Sequence, residues 1–237
     1  MAPLRRRGRP AAQRLDPNAD SRALLLRAAL VAWTEKGYSM VGLDDILRSA
    51  QVSKGSFYHH FATKEAFGLA VIEAYGEYFA RKLARWFDAT EGTPLARWQG
   101  FVQDATEGMA RHGFRRGCLI GNLGQEMGAL PESFRAALIT TFADWQARTR
   151  DCLQAAADAG EIAPTADAAT LAQWFWIGWE GAVLRAKLER SAQALDAFST
   201  GFLQLLAPTQ AKATDATRQL HPHHSTQENP HVSSPVD

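Results

Sequence analysis

Between Ser53 and Lys64 the chain gathers side chains suited to contact a polyanion: Ser53, Lys54, Gly55, Ser56, Tyr58, His59, Thr63 and Lys64. Lys54 and His59 are donors. Tyr58 can meet a phosphate, or pack against a sugar and a thymine methyl, and Gly55 lets the backbone approach DNA closely. Ser53 is placed to cap a helix, which leaves the residues after it at an exposed N-terminal end, where a recognition helix meets base edges. Thr63 and Lys64 open the next helix and suit a phosphate, which helix N-termini favour. The plain alternative is a helical hairpin with a polar face. Upstream, Arg5, Arg6, Arg7 and Arg9 form a basic arm with no acid before Asp16. Such an arm can enter an adjacent minor groove, where arginine is drawn by negative potential, or can simply solubilise the chain.

A second group lies further on. Cys118, Asn122 and Gln125 fall at i, i+4 and i+7, so one helical stripe could present a thiol and two amides to a ligand. Arg115 or Arg116, just ahead of them, offers a forked donor to a carboxylate. Trp174 and Trp179 could supply aromatic walls. A thiol at a helix N-terminus beside two arginines is expected to have a lowered pKa and to attack an electron-poor alkene. The competing reading makes Cys118 and Cys152 small buried apolar groups, the tryptophans core, and the amides partners of backbone. Cys118 has no evident base partner, so no catalytic residue is assigned, and a cysteine-dependent helical enzyme stands as the rival class. Gly117, Gly121, Gly124 and Gly128 match no phosphate-loop spacing, and close helix packing accounts for them better. His221, His223, His224 and His231 sit in a polar tail without convincing ligand spacing, so neither metal nor other cofactor is expected.

The elements that must hold these groups read as all-α. Five arginines and three prolines mark residues 1–17 as an arm, with the first helix taking over from Ser21 through Leu25, Ala28, Ala29, Ala32 and Trp33. Short helices then cover about 43–50 and 54–60, with Phe57 and Phe61 facing inward. Thr63 caps a long helix reaching about Thr90, and Thr93-Pro94 restarts the chain with a cap and a proline at the first helical position. Further helices are expected at about 117–128, 131–158, 167–189 and 192–206. The domains that follow are an arm over 1–20, a three-helix helix-turn-helix module over 21–66, a larger helical domain over 67–207, and a polar tail over 208–237.

Charge is uneven. Eleven Lys/Arg face six Asp/Glu in residues 1–65, whereas fifteen face nineteen in the remainder. A basic front on a mildly acidic body points to a local polyanion contact. Two cysteines and no leading apolar segment fit a cytoplasmic protein, and the most apolar stretch carries Gln173 and Glu180, which argues against a membrane span.

Residues 42–67, GLDDILRSAQVSKGSFYHHFATKEAF, resemble the DNA-binding signature of TetR-family regulators. That resemblance implies a homodimer on double-stranded operator DNA of pseudo-palindromic sequence, usually repressing, with a small molecule in the C-terminal domain changing the spacing of two reading heads. Residues 108–131 and 176–189 are similar to a branch of the family that responds to acrylate or related electrophiles. The effector implied is a small unsaturated acid, bound reversibly or trapped covalently by Cys118. The helix over about 171–188 is apolar nearly all round and needs two buried faces, one in its own core and one on a partner. With Leu195, Phe198, Phe202 and Leu205 on the next helix, an inter-subunit four-helix bundle would cover it. An architectural DNA binder without sequence preference is the remaining alternative, marked by a steep salt dependence and no preferred site.

Overall fold

The computed structural model describes residues 17–163 and 167–207, and among them the regular structure is entirely helical. The arginine cluster Arg5, Arg6, Arg7 and Arg9 and the histidine-rich tail lie outside the described residues. Helix α1 (Pro17–Lys36) begins four residues before the expected Ser21, inside the stretch assigned to the arm. A proline suits the first helical position, because its fixed φ is already helical and its missing N–H would have no partner there.

Three helices build the N-terminal module: α1, α2 (Leu43–Ala50) and α3 (Lys54–His60). Ser53 accepts from the Ser56 amide and fixes the start of α3. Leu25, Ala29 and Trp33 of α1 share a core with Ile46, Leu47, Phe57 and Phe61. Thr63 in turn accepts from the Ala66 amide and starts α4 (Lys64–Phe87), which ends a turn short of Thr90. Phe67, on its first turns, packs edge-on against Trp33 and Phe57. One unbroken helix of 24 residues, about 36 Å at 1.5 Å per residue, therefore leaves the small module and enters the larger one.

The larger module contains α5 (Pro94–Ala110), α6 (Leu119–Gln125), a single 3₁₀ turn (Met127–Ala129), α7 (Glu132–Asp158), α8 (Ala168–Glu189) and α9 (Gln193–Leu206). The α6 segment is shorter than the 117–128 expected from sequence. Gly121 and Gly124 weaken its helical propensity, and the chain winds more tightly past Glu126. Helix α7 packs on α4 and α8, and α8 packs on α9. Their core is aromatic: Phe79, Phe101, Trp145, Phe175 and Trp176 lie ring against ring. Trp176 also donates to Thr149, 3.0 Å away in the same core.

Helix α8 buries Phe175, Trp176, Trp179, Ala182 and Val183 yet leaves Trp174, Ile177, Leu184 and Leu188 exposed. The exposed set advances by three and then seven and four residues, one stripe along the helix, and Leu205 of α9 and Ile139 of α7 are exposed as well. In a single chain this apolar face is uncovered. Gly178, between the two faces, leaves room for the Phe198 ring, so α9 lies close against α8.

Candidate DNA interface and internal cavity

At one end of the molecule Ser53, Lys54, Gly55, Tyr58 and His59 are all exposed, with Tyr58 at 53%. Their common position on α3 follows from the buried Phe57, which fixes which side of a seven-residue helix faces outward. Ser56 is half-buried, and its hydroxyl donates to Ser21 of α1, 3.2 Å away. His60, one residue past the expected set, lies 2.9 Å from the same Ser21 hydroxyl. Arg22, exposed and 5.6 Å above the Phe61 ring, adds a cation that the sequence reading omitted. Its place one residue after Ser21, at the start of the first apolar pattern, was the available signal.

Lys64 departs from expectation. Its ammonium donates to the Val41 carbonyl at 2.9 Å and the Tyr38 carbonyl at 3.5 Å, and it sits 4.2 Å from the Tyr38 ring centre. A lysine committed to two backbone carbonyls is not free for a phosphate; it ties the start of α4 to the α1–α2 turn. Thr63 stays exposed, with its hydroxyl used as the helix cap.

A cavity of about 250 Å³ lies where α1 of the N-terminal module meets the larger module. Leu30, Val31 and Thr34 of α1 form one side, Tyr75, Phe79 and Lys82 of α4 another, and Cys118, Trp179 and Glu180 complete the wall. Arg111, His112 and Arg116 also reach it. Lys82 and Arg111 both pair with Asp104, at 3.4 and 4.0 Å, and Arg85 joins them there. Arg116 pairs with Glu35 at 2.9 Å, and that bond draws the Glu35 carboxyl below its ordinary value.

Cys118 lies between Tyr75 and Glu180, close enough to interact with the side chain of each. Burial pushes the Cys118 thiol well above its ordinary value, and the neighbouring Glu180 adds to that effect. Burial likewise holds Tyr75 protonated and raises the Glu180 carboxyl to about 7. A lowered Cys118 pKa, expected from its two flanking arginines, is thus overturned: Arg116 turns to Glu35 and Arg115 is exposed. An acidic neighbour of Cys118 is nevertheless present in space, because Glu180 comes from a helix 62 residues downstream. Gly121 is what admits it, since a Cβ there would overlap the Glu180 carboxyl.

The other expected ligand residues separate. Trp179 lines the cavity, whereas Trp174 is 53% exposed on the outer stripe of α8. Asn122 points away from the cavity and donates to the Trp33 and Thr34 carbonyls at 3.2 and 3.0 Å. Gln125 is exposed and folds back on the Gly121 carbonyl at 3.4 Å. The helical stripe was read with the right period, but α6 lies flat against α1, so its amides meet backbone instead of a ligand.

That contact is extensive. The Thr34 carbonyl also accepts from the Gly117 amide and from Lys187 at 3.0 Å. Thr34 lies in the last turn of α1, where a helix leaves its carbonyls without internal partners. At the far end of α6, Glu126 accepts from the Tyr38 and Ser39 amides at 2.9 and 2.8 Å. Gly37, at φ +88, makes the preceding turn possible and leaves no side chain in the way of that carboxylate. One short segment therefore carries a cavity wall at Cys118 and grips the N-terminal module at Asn122 and Glu126. No helix among the described residues is long and apolar enough to cross a membrane, and no group of three His, Cys, Asp or Glu among them could hold a metal.

Comparison with known proteins agrees with this architecture. Residues 25–71 match the family of bacterial regulatory proteins of the tetR type, and residues 94–202 match the tetracyclin repressor-like C-terminal domain. The chain is 56% identical over 198 residues to the transcriptional regulator AcuR of Cereibacter sphaeroides, covering 83% of this chain and 89% of that protein. It is 30% identical over 177 residues to the transcriptional repressor NemR of Escherichia coli, covering 75% and 89%. The crystal structure of a regulatory protein TetR from Rhodobacter sphaeroides superposes with a TM-score of 0.77 at 55% identity, over 78% of this chain and 97% of that one.

Proposed function

Because the chain belongs to the TetR family of bacterial transcriptional regulators, we propose that it is a dimeric repressor whose α3 reads a pseudo-palindromic operator and which lets go when a small unsaturated acid such as acrylate fills the internal cavity. The observation that carries this reading is the composition of the cavity wall: Leu30, Val31 and Thr34 belong to α1, whose opposite side holds the recognition helix in its core. An effector there touches the reading head directly. In a regulator of this family the signal need not pass only along α4; it can act on α1 and, through Gly117 and Asn122, on the end of that helix. The effector shifts the equilibrium only by its differential affinity for the two head spacings.

The DNA-contacting set is Ser53, Lys54, Gly55, Ser56, Tyr58, His59 and Thr63, extended by Arg22, with Arg5, Arg6, Arg7 and Arg9 joining from the arm. The effector set is Cys118 and Trp179, extended by Tyr75 and Glu180, with Arg116 on the same wall but committed to Glu35. Reversible occupancy is favoured over covalent trapping, because a thiol held protonated by burial is a poor nucleophile. Fluorescence anisotropy on labelled promoter DNA with excess nonspecific DNA, titrated with acrylate, tests both parts. Selective binding relieved by acrylate supports them, selective binding indifferent to acrylate removes the effector class, and a Cys118→Ser protein that still responds removes the covalent route. Binding without preference for the promoter sinks operator recognition there.

A further inference from the structure

Glu180 is an enclosed carboxyl with a free oxygen. Among the described residues, buried side-chain polar atoms without a hydrogen-bond partner are three indole nitrogens and Glu180 Oε1, and of these residues Trp33, Trp98 and Trp145 do not line the cavity. The groups facing it are few. From α4 come Tyr75, Tyr78 and, along the same wall, Lys82; from the end of α5, Arg111 and His112; from the α6 segment, Arg116 and Cys118. Helix α1 contributes only Leu30, Val31 and Thr34. On its outer side Glu180 lines a groove with Ile139, Phe142, Ala143 and Gln146 of α7, none of them charged. Lys82 and Arg111 are taken by Asp104, and Arg116 by Glu35. Among the described residues no cation therefore pairs with Glu180, and an ionised carboxylate left alone in an enclosed site is strongly disfavoured.

A neutral carboxylic acid differs from a carboxylate in one respect that matters for a ligand: it has an O–H to give. We infer that Glu180 is the specificity residue for an effector carboxylate, donating its own proton in a hydrogen bond to that anion, with the Tyr75 hydroxyl as a second neutral donor and the hydrocarbon end of the effector directed toward Trp179 and Val183. The inference rests on the reading of the effector as a small carboxylic acid. It replaces the forked arginine expected from sequence with uncharged donors. Two carboxyl groups in contact share one proton well but repel when both are ionised. The free site loses its proton around neutrality, so acid binding weakens above that point by about tenfold per pH unit, the slope of one proton.

Isothermal titration calorimetry of the full chain with propionate tests this, since propionate has no alkene for a thiol to attack. Between about pH 6 and 9 the ligand stays ionised, as simple carboxylic acids titrate near pH 4 to 5. Wild type should bind with a flat affinity at the acid end and lose about tenfold per unit at the alkaline end. Glu180→Gln, which can still donate but cannot titrate, should bind with no such slope. Histidines also change charge in this range, and His112 lines the cavity; the variant separates the two, because a slope that survives in Glu180→Gln overturns the inference. A flat wild-type profile overturns it as well, while leaving the effector class standing. Failure of wild type to bind propionate or acrylate at any pH overturns both. Should the variant not fold, His112→Gln titrated at pH 8 in two buffers of different ionisation enthalpy gives the same answer: about one proton taken up per acid bound supports the inference, and none overturns it.

Discussion

Thr34 belongs to two sites at once. Its side chain faces the cavity, while its carbonyl accepts from Gly117, Asn122 and Lys187. Glu180 is the residue with the sharpest consequence for stability. Its folded pKa lies above the ordinary 4.5, at about 7, so the native chain keeps a proton that the unfolded chain releases. Stability accordingly falls as pH rises from about 4.5 to 7 and is level above that window. Glu180→Gln removes the dependence: scanning calorimetry should find the variant more stable than wild type at pH 8, by roughly 3 kcal/mol, with the difference shrinking toward pH 4.5. An equal difference at both pH values would contradict the assignment. On the DNA side, Tyr58 is half-exposed and supports little of the core. Tyr58→Ala should weaken operator binding by about tenfold or more, the worth of one good base-region contact, with an unchanged melting temperature; a matching loss of stability would mean that its packing on Phe57 was the larger role.

At the scale of elements, the caps made the fold legible. Ser53, Thr63 and Thr93 each accept from the amide three residues on, as their spacing suggested, and the helices they open start where expected. The internal site was harder to read. Glu180 was visible only as a lone acid in an apolar run, and Tyr75 as one aromatic among several on α4. Nothing in a one-dimensional pattern joins either to Cys118, because Glu180 reaches it only where its carboxyl fits over Gly121 and Tyr75 only where α4 packs on α6. Lys64 misled for a related reason: a lysine has enough reach to leave the surface it starts from, and here it finds free carbonyls at a turn. The α6 grip itself is open to test. Glu126→Ala removes the acceptor for two amides, so exchange of the Tyr38 and Ser39 amide hydrogens should accelerate. Release of DNA by effector should weaken several-fold, the scale of a coupling of about 1 kcal/mol, while calorimetric binding of effector stays near wild type. Unchanged release would place the coupling on α1 and α4 alone.

For the molecule as a whole, the stripe of Trp174, Ile177, Leu184 and Leu188 beside Leu205 is the surface a second chain must cover if two recognition helices are to meet one operator. Ile177→Arg puts a charge in the middle of that stripe. Analytical ultracentrifugation should then report a monomer where wild type is a dimer, and operator binding should fall by at least a hundredfold, since one head holds only a half-site. A monomer that still bound the full operator tightly would show that pairing occurs on the DNA. The same stripe makes abundance an input to the switch. At chain concentrations below the dimer dissociation constant, dimer concentration grows as the square of chain concentration, so a twofold dilution by cell growth without new synthesis would cut the dimeric, operator-competent species about fourfold. A promoter under such control would open by dilution during rapid growth as well as by ligand, and would close steeply once synthesis caught up.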